Sequence, residues 1–118
     1  MRILIVEDED LAVRKLSKML IALDPALVIE GVTDSIQSSV EWLNNNPSPD
    51  LVLMDIELAD GQSFEILKQV NITCPVVFTT SYDESAVKTF RLSERDYLLK
   101  PIQKDELNAL LIKYSPAQ

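Results

Sequence analysis

Short apolar runs alternate along this chain with longer stretches whose apolar residues recur at helical spacing. The runs are Ile3–Val6, Val28–Val32, Leu51–Met54, Val76–Phe78 and Tyr97–Leu99. Each has the length of a strand. Most are apolar at consecutive positions, the pattern of strands covered on both faces. From Leu11, the positions Val13, Leu16, Leu20 and Leu23 predict a helix with Asp10 as N-cap and Pro25 beyond its end. Asp34 or Ser35 is placed to cap a second helix through Leu43, which stops at Asn44-Asn45-Asn46-Pro47. Asp60-Gly61 reads as a turn before a third helix that uses Phe64, Leu67 and Val70. A short fourth helix is expected from Ser81 to Asp83 onward, with Val87 and Phe90. A fifth is expected from Asp105 to Lys113, carrying Leu107, Leu110 and Leu111.

The order is strand then helix, repeated. That alternation implies a parallel sheet with helices on both faces, joined by right-handed crossovers. The expected fold is α/β: a doubly wound, five-stranded parallel sheet of order 2-1-3-4-5, flavodoxin-like. Ligands in such sheets sit outside the carboxyl ends of the strands, here near the first and third.

Composition narrows the chemistry. The 118 residues fit one domain spanning 1–118, and 47% apolar residues mark it as globular rather than disordered. With 11 Lys+Arg against 19 Asp+Glu the formal charge is −8, so no nucleic-acid binding is expected of this domain's own surface. There is no His, which removes imidazole bases and His-ligated zinc. The single Cys, Cys74, forms no internal disulfide and reads as a small buried hydrophobe beside a strand. Two glycines, Gly31 and Gly61, cannot build a Gly-rich phosphate loop. The first apolar run meets Glu7 too early for a secretory signal, and no run approaches a membrane span. The expected compartment is the cytoplasm, with no membrane partner.

The residues just past the strands form a coherent set. Glu7 and Asp8 follow the first, Asp55 and then Glu57 the third, Thr80 and Ser81 the fourth, Lys100 and Pro101 the fifth. Acidic groups converging between the first and third strands repel one another unless a cation joins them. A hard, oxygen-seeking ion such as Mg²⁺ resolves this. Phosphoryl transfer then needs a nucleophile, a fixed positive charge and a hydroxyl donor, roles that Asp55, Lys100 and Thr80 can fill. Without His or a phosphate loop, the remaining reaction is an aspartyl-phosphate on Asp55.

Each residue also has an ordinary explanation. Glu7-Asp8 alone would be a solvated turn and helix cap, and a lone Asp after a strand is most often a turn residue. Glu57, Asp60, Glu9 and Asp10 read as surface or capping groups, and Lys100-Pro101 as loop punctuation. Thr80 alone would simply hydrogen-bond nearby backbone. The conjunction carries the argument: separate strand ends each supply a residue type that one reaction needs.

These residues resemble the receiver domain of bacterial response regulators in two-component systems, over nearly the whole chain. The segments that carry the resemblance are Val6-Glu7-Asp8, Leu53-Met54-Asp55-Ile56, Asp60-Gly61, Phe78-Thr79-Thr80-Ser81 and Asp96-Tyr97-Leu98-Leu99-Lys100-Pro101. The resemblance implies Mg²⁺ held by Asp8, Asp55 and the backbone carbonyl of Glu57, with Glu7 acting mainly through water. It implies that Asp55 takes phosphate from a sensor histidine kinase or phosphotransfer protein, and that Thr80 and Lys100 bind its oxygens. Tyr97 matches the aromatic switch residue, and the Lys100–Pro101 bond is expected to be cis. The run from Phe78 to Ile102 is similar to receivers of the LytTR subfamily, which implies a DNA-binding output domain beyond residue 118.

There are departures. Ser93-Glu94-Arg95 replaces a small Gly-Ala pair before the fifth strand, and Glu7 stands where Asp is usual. Glu57 and Tyr82, two positions after Asp55 and Thr80, are expected to modulate dephosphorylation. Phosphorylation is expected to move Thr80, turn Tyr97 inward and change the face of the fourth helix, fifth strand and fifth helix. That change would favour a homodimer or release an output domain. Val87, Phe90, Tyr97 and Leu107 either line that face or belong to the core. Two rivals stay open: a Mg²⁺-dependent phosphohydrolase using Asp55, which needs a substrate pocket, and a receiver-like binding module that is never phosphorylated.

Overall fold

The computed structural model describes residues 1–81 and 96–115. Its elements are β1 (Arg2–Val6), α1 (Asp10–Leu23), β2 (Val28–Thr33), α2 (Ile36–Asn45), β3 (Leu51–Asp55), β4 (Glu57–Leu58), β5 (Gly61–Gln62), α3 (Phe64–Gln69), β6 (Val76–Thr80), β7 (Tyr97–Leu99) and a final helix (Lys104–Lys113). Five strands form one parallel sheet in the order β2-β1-β3-β6-β7. Counted along the sheet, that is the expected 2-1-3-4-5. β4 and β5 form a separate antiparallel hairpin.

Side chains alternate across a strand, so a run buried on both faces divides between two cores. On one face Ile3, Ile5, Leu51, Leu53, Val77 and Leu98 pack with Leu16 and Leu20 of α1 and Leu107 and Leu111 of the final helix. On the other, Leu4, Val6, Val52, Met54 and Phe78 pack with Ile36 of α2 and Ile66 of α3. β3 is central and buried at every position, which explains its unbroken apolar sequence. Each such side chain stabilises the fold by roughly 1.5–3 kcal/mol.

Several boundaries differ from expectation. Glu9, not Asp10, is the N-cap of α1, and Asp10 lies in the first turn, where its charge favours the positive helix end. Of the two expected caps of α2, Ser35 is the one that forms, in a reciprocal box with Ser38. That helix runs past Leu43 to Asn45 because the Asn45 and Asn46 amides donate to the Glu41 and Trp42 carbonyls at 2.7 and 2.8 Å. α3 stops at Gln69, with Val70 as its C-cap. The final helix starts one residue early, at Lys104. The β4–β5 hairpin was not expected. Leu107 is fully buried, so it belongs to the core rather than to an exposed face. The expected fourth helix with Val87 and Phe90, Tyr82 and the segment 93–95 lie outside the described residues. Cys74 is half-buried, and burial pushes its thiol pKa up. No described helix is long and apolar enough to cross a membrane.

β2 is an edge strand, and its exposed Val28 and Val32 show where apolar sequence does not mean core. Its Gly31 has a packing reason. A Cβ there would lie 2.5 Å from Trp42 Nε1 and 2.9 Å from Trp42 Cε2. Replacement of Gly31 by Ala is therefore expected to cost about 1–3 kcal/mol in a urea titration followed by the fluorescence of Trp42. Unchanged stability would show that the indole moves aside freely.

Candidate functional site

The site residues are pegged by the sheet's own hydrogen-bond ladder, which continues past the strand ends. The Glu7 amide donates to the Thr33 carbonyl at 2.9 Å, Ile56 to Thr79 at 3.1 Å and Lys100 to Thr80 at 2.7 Å. Asp55 ends β3 opposite Thr79, and Thr80 ends β6 opposite Leu99. The backbone thus brings the carboxyl ends of β1, β3, β6 and β7 to one rim.

At that rim lie Glu7, Asp8 and Asp55, each offering one carboxylate oxygen within 4.8 Å of the others. Lys100 stands among them. Its Nζ donates to Glu7 Oε1 at 2.6 Å and to Asp55 Oδ2 at 3.4 Å, so Glu7 is the tighter partner. The other Glu7 oxygen, Oε2, accepts from the amides of Asp8 and Glu9 at 3.1 and 3.3 Å. A buried carboxylate held this way tolerates its burial.

Asp55 is less well served. Burial, then the charge of Glu7, pushes its pKa up to about 6, although Lys100 pulls the other way. Asp8 is also raised, by desolvation first and by Glu7 next. Burial acts to lower the pKa of Lys100, but its bond to Glu7 and the charges of Asp55 and Glu7 outweigh this, and the net direction is up. Among the described residues, three carboxylates and one ammonium meet at the rim, so negative charge is in excess there.

The donor set fits Mg²⁺. It consists of hard carboxylate oxygens, and one of them, on Asp8, is open to solvent and to the waters that this ion retains. Both oxygens of Glu7 are already engaged, which leaves Asp8 and Asp55 as the freer ligands. Glu57 lies in β4 with its side chain exposed, and among the described residues a weak 3.4 Å contact from Gln62 is what reaches it. Thr80 is buried, and Tyr97 is half-buried against the core cluster that holds Phe78. The Lys100–Pro101 bond is cis. The structure therefore gathers Glu7, Asp8, Asp55 and Lys100 directly, with Thr80 at the adjoining strand end. Sequence reasoning missed that Lys100 pairs first with Glu7. Nothing in the linear spacing signals it, because 93 positions separate the two.

The chain matches the response regulator receiver domain family over residues 3–112. It belongs to that family. The sensory transduction protein LytT of Bacillus anthracis is 36% identical over 117 residues, covering 97% of this chain and 47% of the relative. The sensory transduction protein LytR of Staphylococcus epidermidis is 33% identical, covering 100% and 47%. Among solved structures, the response regulatory domain of protein mrkE from Klebsiella pneumoniae superposes with a TM-score of 0.79 at 30% identity, covering 98% of this chain and 95% of that one. The chain thus spans about half the length of the curated relatives it matches. It is a receiver domain of two-component signalling, of LytTR-type resemblance, and not a member of a metabolic enzyme family.

In the receiver, the pKa of Asp55 is raised above the ordinary 3.8, so its ionised form is the one folding disfavours. The stability associated with the neutral carboxyl is present below pH 3.8 and lost as pH rises through about 6. Without divalent cations, Asp55→Asn is expected to be more stable than wild type by roughly 1–3 kcal/mol near pH ~8, with the gain vanishing near pH ~3.5. Urea titrations in chelator at both pH values check the sign; no gain at the higher pH would contradict it.

Proposed function

We propose that this receiver is a phosphorylation-dependent switch whose acceptor is Asp55. The observation that carries the reading is Lys100, held 2.6 Å from Glu7 and 3.4 Å from Asp55 at the mouth of the sheet. The donor is a sensor histidine kinase or phosphotransfer protein in the cytoplasm. An Asp55 carboxylate oxygen forms the new bond to phosphorus while the phosphorus–nitrogen bond of the donor phosphohistidine breaks, its electron pair staying on the imidazole nitrogen. Lys100 and the Thr80 hydroxyl bind the transferred oxygens. Asp8, Asp55 and the Glu57 carbonyl would hold Mg²⁺, with Glu7 reaching it through water. When bound, Mg²⁺ would neutralise charge on the carboxylates and on the phosphoryl oxygens.

A phosphoryl group on Asp55 adds charge beside Thr80, which moves to bond it, and Tyr97 turns into the space that Thr80 leaves. The surface around β7 and the final helix then favours a homodimer or releases an output domain. Converting a mostly inactive population to a mostly active one needs a bias of about 5 kcal/mol. The 47% share of the LytT and LytR relatives favours a LytTR-type DNA-binding output beyond residue 118, and transcription as the response. The receiver itself contacts neither nucleic acid nor membrane in this reading. Glu57 and Tyr82 act as modulators of dephosphorylation; equal half-lives for wild type, Glu57→Ala and Tyr82→Ala would remove them from that role.

The phosphohydrolase reading is less well supported. The apolar cavity of about 410 Å³ near the rim is lined by Glu7, Lys100, Leu16, Met19 and Ile102, but not by Asp55. It gives the nucleophile no substrate pocket. Incubation with acetyl phosphate and Mg²⁺ is expected to add one phosphoryl group by intact mass, and none to Asp55→Asn. An unmodified wild type, or equal labelling of the variant, would defeat the proposal.

A further inference from the structure

The amides at the start of a helix have no partner within it. In α2 they are met from two sources. Ser35 and Ser38 serve each other: the Ser35 amide donates to Ser38 Oγ at 3.1 Å and the Ser38 amide to Ser35 Oγ at 3.0 Å. The two amides between them reach across the fold. Ile36 donates to Asp60 Oδ1 at 2.8 Å and Gln37 to Asp60 Oδ2 at 3.3 Å, from 24 and 23 residues away. Asp60 is exposed, so water could satisfy both amides in its place. The helix has its own cap. The partner that gains from the bond is the hairpin carrying Asp60.

That hairpin pairs only Glu57 with Gln62 and Leu58 with Gly61, too little to hold itself. Its base is pinned by backbone bonds, Ser63 amide to Ile56 carbonyl at 2.8 Å and Ile56 amide to Thr79 carbonyl at 3.1 Å. The Ser63 hydroxyl adds nothing, for it is buried with no hydrogen-bond partner among the described residues. The tip is pinned by Asp60. Beside it, Ile36 Cδ1 lies 3.2 Å from where a Cβ would stand on Gly61, whose φ is +134°. Glu57 sits between these two anchors. Bonds to the Ile36 and then the Gln37 amide hold the Asp60 carboxyl below the usual carboxylate range, so it stays ionised.

We propose that Asp60 is a positioning residue: by mooring the β4–β5 hairpin to the first turn of α2, it fixes the Glu57 carbonyl as a ligand for Mg²⁺. The inference rests on the reading of Glu57 given under the proposed function, and it extends the metal site to an exposed residue that touches no ion.

The test is calorimetric titration of MgCl₂ into the full chain near neutral pH, which reads metal affinity without any phosphorylation. Asp60→Ala, a surface change that leaves both cores intact, is expected to weaken Mg²⁺ binding about tenfold. Ser35→Ala strips the same helix end of its local cap and is expected to stay within about twofold, because the hairpin remains moored. Asp60→Asn keeps the acceptor for the Ile36 amide and recovers most of the loss. Unchanged affinity in Asp60→Ala, an equal loss in Ser35→Ala, or no recovery in Asp60→Asn would each overturn the inference. A wild type that binds no Mg²⁺ would overturn the metal reading beneath it, an outcome distinct from the other three.

Discussion

Carboxylates crowd the mouth of this parallel sheet, and among the described residues one ammonium, that of Lys100, makes the crowding tolerable. The pairing with Glu7 at 2.6 Å spans 93 positions, so it forms only when β7 has docked on β6 and the whole sheet is in register. The negative charge is not fully balanced, and the imbalance falls on Asp55, whose pKa rises to about 6. Perturbed groups of this kind gather where a fold accepts a local cost for chemistry. Added positive charge at this rim would relieve the crowding.

The rest of the structure serves to hold that rim still. β7 is only three residues long and sits at the sheet edge, yet it carries Lys100. At its other end, Asp96 accepts from Lys113 Nζ at 2.9 Å and from the Tyr114 hydroxyl, while its carbonyl accepts from the Phe78 amide at 3.1 Å. The last turn of the final helix is thereby tied to the start of the strand that presents Lys100. Leu98 between them is buried in the same core cluster as Leu107 and Leu111. A short edge strand gains its rigidity from neighbours on both sides of the sheet.

The sheet was legible in the sequence wherever burial is two-sided. β1 and β3 read as unbroken apolar runs because both their faces are covered. β2 is interrupted by Glu30 and Gly31, and its Val28 and Val32 are exposed at the sheet edge. Glu7, Asp8, Asp55 and Lys100 were visible because each directly follows such a run, and the fold rule says where those ends meet. The hairpin was hidden. Two residues per strand make no period, and its turn depends on a positive φ at Gly61 and on amides of α2 distant in sequence. Asp60 showed itself as a surface or capping group, but the amides it accepts from belong to α2, which precedes it, and not to the helix that follows it.

The identity of residue 7 shows how one rim assigns different work to like groups. Glutamate is one methylene longer than aspartate, and here that length folds Oε2 back onto the amides of Asp8 and Glu9 while Oε1 stays against Lys100. With both oxygens hydrogen-bonded, Glu7 is accommodated in its buried position against Lys100. Asp55, nearly as buried, has the longer 3.4 Å contact to the same ammonium, and burial outweighs the pull of Lys100 on its pKa. The more fully bonded carboxylate is the structural one. Its neighbour Asp55 is the less fully bonded of the two, and burial together with the charge of Glu7 raises its pKa.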